Sequence, residues 1–206
     1  MEVLKKIFGC FAVGVLVVAL YGCSDSDDIN DTEINPTDGI VINGVRWATR
    51  NVGAPGTFAA NPESSGMFFQ WNRRRGWAAT GNVTGWNTTT PTGITWEATN
   101  DPCPTGWRVP TREELQSLVD AGCKWTTQNG VNGRLFGIAP YQIFLPAAGW
   151  RNFTNGGLGW VGENGIYWGS APRGSVDAMI LNFANYDNRV LYNFRTFGFS
   201  IRCVAQ

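Results

Sequence analysis

The chain has 206 residues, with 16 Lys and Arg balanced by 16 Asp and Glu, and it contains no histidine. The missing imidazole removes Ser-His and Cys-His nucleophile pairs and histidine-ligated metal sites. Zero net charge hides an asymmetry: residues 40–206 hold 14 Lys and Arg against 9 Asp and Glu, a body of +5, and 13 of those 14 are arginine. Those arginines suit either a surface for anionic groups or stacking on the 10 tryptophans and pairing at loops. They cluster only at Arg73 to Arg75, with no lysine support and no nucleic-acid motif, so no nucleic-acid partner is expected.

Residues 1–22 read as a secretory leader, with Lys5 and Lys6 ahead of an apolar run from Ile7 to Leu20. That run falls short of the roughly 20 residues a membrane span needs. It ends in Leu20-Tyr21-Gly22-Cys23, which resembles a bacterial lipobox. The resemblance implies cleavage before Cys23 and a lipid anchor on its sulfur, placing the protein at the outer membrane. Residues 23–39 are acidic and nearly free of apolar side chains, so they are expected to form a disordered tether. The Ser/Asp run after Cys23 also resembles the export signal of Bacteroidota surface lipoproteins, which implies exposure at the cell surface. The alternative is a solvated periplasmic spacer.

Residues 40–206 are enough for one domain with a sizeable core. Short apolar runs punctuated by Gly, Asn, Pro and Thr predict an α+β domain of many strands and long loops. Ile40–Ile42, Asn43-Gly44 and Val45–Ala48 predict a hairpin with a type I′ turn. Residues 66–72 predict a strand and 73–102 a long loop. One helix is clear: Thr111 as N-cap, Glu114 completing a capping box, an apolar stripe of Leu115, Leu118 and Val119, and Gly122 as the left-handed stop. Further strands are expected within 141–150, 165–171, 178–186, 189–194 and 198–205. In the last, Phe199, Ile201 and Cys203 alternate with Ser200, Arg202 and Val204, as in a half-buried strand.

Setting aside Cys10 and Cys23, three cysteines remain: Cys103, Cys123 and Cys203. An exported compartment permits disulfides. Cys103 with Cys203 is the favoured pair, closing a loop of about 100 residues and contributing roughly 4–5 kcal/mol in the chain-entropy model. Cys103 with Cys123 would join the two ends of one helix, about three turns apart, a span that needs the chain before the N-cap to loop back. Both stay open at this point. In the favoured pairing Cys123 is a free thiol acting as a small buried hydrophobe.

Four ordered blocks carry a resemblance: residues 44–72, Asp101–Leu118 (DPCPTGWRVPTREELQSL), Gly165–Ala171 (GIYWGSA) and Gly198–Val204 (GFSIRCV). Together they resemble the Fibrobacter succinogenes major paralogous domain of Bacteroidota lipoproteins. The resemblance implies a C-type-lectin-like fold shared with formylglycine-generating enzymes: a mixed, mostly antiparallel twisted sheet, one helix after the Cys-Pro-x-Gly-Trp block, and terminal strands that meet. The segment from Ile180 to Val204 also resembles the variable end of proteins diversified by retroelements, which implies ligand contacts just before the final strand.

Function classes follow from the residues. Formylglycine-generating enzymes use a cysteine pair near the domain's end, whereas only Cys203 stands there, and no carboxylate spacing singles out an acid/base pair; no enzymatic activity and no cofactor are expected. The calcium-lectin motifs are also missing, so no metal is expected. The segment 149–196 is dense in aromatic, Asn and Arg residues, a mixture suited to ligand contact. The expected ligand-binding residues are Trp160, Asn164, Asn185, Tyr186, Asp187, Asn188, Arg189, Tyr192, Asn193 and Arg195, contacting a glycan or protein ligand. The competing role for these aromatics is core packing, above all for Trp107 and Trp168. A structural or envelope-assembly lipoprotein without a soluble ligand is the alternative reading.

Overall fold

The structure, a computed structural model, describes residues 39–206; the leader, Cys23 and the tether up to residue 38 lie outside the described residues. Strands β1 (Ile40–Ile42) and β2 (Val45–Trp47) form a hairpin whose Asn43 and Gly44 have φ of 48° and 80°, the left-handed pair a type I′ turn needs. Strand β3 (Phe68–Phe69) pairs with β4 (Gly76–Trp77), so only two residues of the strand expected over 66–72 enter a ladder. From there to residue 102 the chain is irregular apart from a short 3₁₀ turn at Ala98–Asn100.

After β5 (Trp107–Arg108) comes α1 (Arg112–Asp120). Thr111 Oγ1 accepts from the Glu114 N–H, the Glu114 carboxylate accepts from the Thr111 N–H, and Arg108 grips the same carboxylate at 2.6 and 2.8 Å. Leu115 and Leu118 are buried, and Gly122 follows at φ 81°.

Three strands, β6 (Cys123–Gln128), β7 (Val131–Ile138) and β8 (Tyr141–Pro146), form an antiparallel sheet. A short ladder joins β9 (Trp150–Arg151) to β10 (Leu158–Gly159). Three long strands, β11 (Gly165–Arg173), β12 (Asp177–Ala184) and β13 (Asp187–Phe194), make a second antiparallel sheet with β12 central. Finally β14 (Val204–Ala205) inserts between β2 and β5, so the N-terminal hairpin and the last strand meet. The described residues are thus mostly antiparallel sheet with one α-helix. Among them no helix is long and apolar enough to cross a membrane.

The β11–β12 pair divides the core. Ile166, Trp168, Ala178 and Ile180 face a cluster built on Trp71, Trp96, Phe199 and Ile201; Tyr167, Leu181 and Phe183 face a second one with Trp47, Leu115, Leu118 and Phe136. Burial on both faces explains the near-continuous apolar runs of these strands. Large indoles fit because their N–H groups find carbonyls: Trp168 donates to Phe69 O at 2.7 Å and Trp71 to Gly169 O at 3.1 Å.

Residues 199–204 depart from the half-buried strand read from their alternation. All six are buried, and only Val204 enters a named ladder; Phe199 and Ser200 bridge singly to Phe69 and Tyr167. The polar face is buried because Arg202 has its own partners: Asn51 Oδ1 twice, Ala48 O and Phe144 O, at 2.8–3.1 Å.

Three other arginines repeat this device. Arg151 donates to carbonyls of Ala78, Thr80, Gly81 and Gly156; Arg195 to those of Pro91, Gly93, Gly174 and Asp177; Arg134 to those of Ala184 and Asn185. A rigid fork of five donors can satisfy several loop carbonyls at once, which lysine cannot. Much of the arginine excess therefore clips loops rather than lining a ligand surface. Cys103 and Cys203 are joined by a disulfide with Cα atoms 6.1 Å apart, and Cys123 is free.

Candidate functional site

The segment between β10 and β11 is fixed by backbone hydrogen bonds. Trp160 O accepts from the N–H groups of Glu163 and Asn164, Gly162 N–H donates to Ala147 O, and Gly149 N–H donates to Asn164 O at 2.7 Å. The chain passes so close to Gly149 that a Cβ there would lie 2.3 Å from Gly159 O. Within this tight loop Trp160 has φ 51°, a left-handed conformation that bulky side chains rarely adopt. Its indole is nevertheless 59% exposed and touches the domain edge-on through Trp150, with ring centroids 6.1 Å apart. Backbone strain of this kind clusters at functional sites.

Trp160 forms the ridge between two clefts. On one side is a cleft of about 450 Å³ that holds Asn164, Asn185 and Tyr186 together with Trp125 and Asn132. On the other is an apolar groove of about 300 Å³, where Tyr192 and Asn193 lie against Trp150, Ile166, Leu191 and Phe197. Tyr186 is 90% exposed, and Tyr192 has one ring face covered by Arg173, whose guanidinium carbon stands 3.2 Å from the centroid. Asn164 is largely buried at the cleft floor, its amide nitrogen 3.4 Å from Asn182 Oδ1.

Four of the residues expected from sequence are not part of this arrangement in the way expected. Arg195 is 1% exposed, spends its donors on four carbonyls and lies 4.2 Å over the Trp71 ring, so it does not contact ligand. Its charge can be buried there because loop carbonyls supply the missing solvation. Asn188 turns inward and donates to Cys123 Sγ at 3.2 Å. Asp187 and Arg189 pair with each other at 2.6 Å on the surface.

Cys123 is not a plain hydrophobe either: Arg134 Nη1 also donates to its sulfur at 2.9 Å. The Arg134 guanidinium thus links β6 to the Ala184–Asn185 turn that carries Tyr186. Trp125 and Asn132 belong to the hairpin of β6 and β7, which the sequence reading did not mark. Its signal was Asn129-Gly130, with φ of 48° and 81°, a second type I′ pair.

A larger cleft, about 630 Å³, lies elsewhere, beside the disulfide and lined by Arg74, Trp96, Asp101, Trp107 and Arg108 among others. Burial pushes the Asp101 carboxyl up, opposed by N–H bonds from Cys103 and Val109 and by the charges of Arg74 and Arg108. Both carboxylate oxygens are committed to those N–H groups, at 2.8 and 3.0 Å, so Asp101 shapes the turn ahead of α1. Among the described residues no group of three or more His, Cys, Asp or Glu side chains gathers as a metal site would require.

Comparison with family models finds no match, and searches of the curated proteins and of the solved structures return none.

Proposed function

We propose that this chain is a lipid-anchored binding module of the outer membrane, held at the cell surface through Cys23. Its C-type-lectin-like frame would present the Trp160 face to a glycan or protein ligand. The observation that carries the reading is Trp160 itself: a left-handed, largely exposed tryptophan on a hydrogen-bonded loop, with expected contact residues gathered on both sides. Rigid aromatics bring contact area at low entropic cost, and Asn side chains adapt their hydrogen bonds to the partner. The placement of β14 beside β2 and the disulfide from the helix entrance to the chain end hold the domain beneath these loops.

The test is a pair of screens, glycan arrays and protein pull-downs, run with the full chain and its Trp160→Ala and Tyr186→Ala variants. The reading expects a ligand whose capture falls in both variants. Capture unchanged by both substitutions, or no partner in either screen, would count against it. Surface labelling of intact cells tests the location separately.

A further inference from the structure

We infer that the cleft between Trp125, Trp160 and Tyr186 is a saccharide subsite that takes an uncharged pyranose without a metal ion. This rests on the binding reading above and specifies its ligand. The cleft's volume, about 450 Å³, lies within the usual range of small-ligand sites, about 300–1,000 Å³. Its chemistry is divided as a pyranose is divided. A sugar ring has an apolar C–H face and a polar rim of hydroxyls, each of them both donor and acceptor. The three aromatic rings match the face. The Asn164 and Asn185 amides match the rim, because an amide also offers both a donor and an acceptor. Among the described residues the Asn185 side chain has no hydrogen-bond partner, and Glu163, exposed at the rim, has neither a hydrogen bond nor an ion pair through its carboxylate.

Charge narrows the class further. No Lys or Arg lines the cleft, and Glu163 is its single formal charge. Arg134 lies beneath, 7% exposed, with its donors spent on Ala184 O, Asn185 O and Cys123 Sγ. A uronic acid, sulfate or phosphate would therefore meet a carboxylate and no free cation. Glu163 would be the single anionic ligand the cleft offers a calcium ion, the Asn amides being neutral, so recognition is assigned to stacking and amide hydrogen bonds. The groove across Trp160 also holds Asn182 and Asn193 beside aromatic rings, but Ile166, Ile180, Leu191 and Phe197 make its lining mostly apolar.

The experiment is titration calorimetry of the full chain in a polyoxyethylene detergent. The probes are neutral hexasaccharides of glucose, mannose, galactose and N-acetylglucosamine, with oligogalacturonate and oligoalginate as the acidic set. The inference expects at least one neutral hexasaccharide to bind, unchanged by EDTA. Trp160→Ala and Asn185→Ala should each weaken it at least about tenfold, as loss of a contact hot spot does. Trp160→Phe should restore most of the binding lost in Trp160→Ala, and Tyr141→Ala, at the exposed start of β8 outside the cleft, should leave it unchanged. Preference for the acidic set, abolition by EDTA, or no binding across the panel overturns the saccharide inference. If a screened ligand still depends on Trp160, the broader binding reading survives that loss. Saccharide binding indifferent to Trp160→Ala overturns both.

Discussion

The strain at Trp160 can be measured by comparing two truncations, Trp160→Ala and Trp160→Gly. Both remove the indole, its edge contact with Trp150 and the same partly buried area, so those losses cancel in the difference. What differs is the backbone at φ 51°. A left-handed residue with a Cβ costs roughly 1–2 kcal/mol, and glycine escapes that cost while losing about 0.5–1 kcal/mol more chain entropy on folding. The glycine variant should therefore be the more stable by about 0.75 kcal/mol at the midpoint of these ranges, or roughly 1.5–3 °C in Tm for a domain of this size. Equilibrium urea unfolding and calorimetric melting of the two proteins give the difference directly. As a control, Asn129→Gly at φ 48° should gain less, since asparagine tolerates this region. An alanine variant more stable than the glycine variant would refute the claim that the loop forces Trp160 into a costly conformation.

Three further outcomes follow from the packing. Replacing both Cys103 and Cys203 with Ala should lower stability by roughly 4–5 kcal/mol, the chain-entropy contribution of a loop of about 100 residues, as read by urea unfolding; a loss under about 1 kcal/mol would contradict the clamp. Arg195→Ala should cost about 3 kcal/mol or more, because four loop carbonyls lose their donors, whereas Arg189→Ala at the exposed pair should stay within about 0.5 kcal/mol. Tyr167, wholly buried and donating to Pro146 O at 2.8 Å, has its hydroxyl pushed up to about 12 by burial. Its folded value lies above the ordinary 10, so the stability it contributes is full below pH 10 and is lost as pH rises through 12. Burial pulls the Arg202 guanidinium the other way, down to about 10, a shift of opposite sign, so the two must be separated by substitution. Ultraviolet titration should show a late phenolate step near pH 12 that Tyr167→Phe removes; ionisation of every tyrosine together near pH 10 would contradict the burial.

The features legible in sequence were local ones. Thr111 and Glu114 announced the helix, Asn43-Gly44 the first hairpin, and the resemblance implied that terminal strands meet, as β2 and β14 do. The hairpin of β6 and β7 went unmarked because Cys123–Gln128 and Val131–Ile138 lack a clean alternation. Two glycines interrupt β7, one of them, Gly133, where a Cβ would lie 2.3 Å from Leu145 O. Within the site, Trp160, Asn164, Asn185 and Tyr186 stood out by composition, while Trp125 reaches the same cleft from a distant strand. The burial of Arg195 was illegible for a related reason. Its carbonyl partners come from residues 91, 93, 174 and 177, and only the fold brings them together. Residues 199–203 misled through their alternation, since a buried guanidinium with four hydrogen bonds occupies what reads as a solvent face.

The most direct test of the account is hydrogen exchange of the full chain, free and saturated with the tightest-binding neutral hexasaccharide. The account predicts slowed exchange at residues 160–164 and 184–186, lost in Trp160→Ala. Protection confined to residues 95–109, around the larger cleft beside the disulfide, would contradict it.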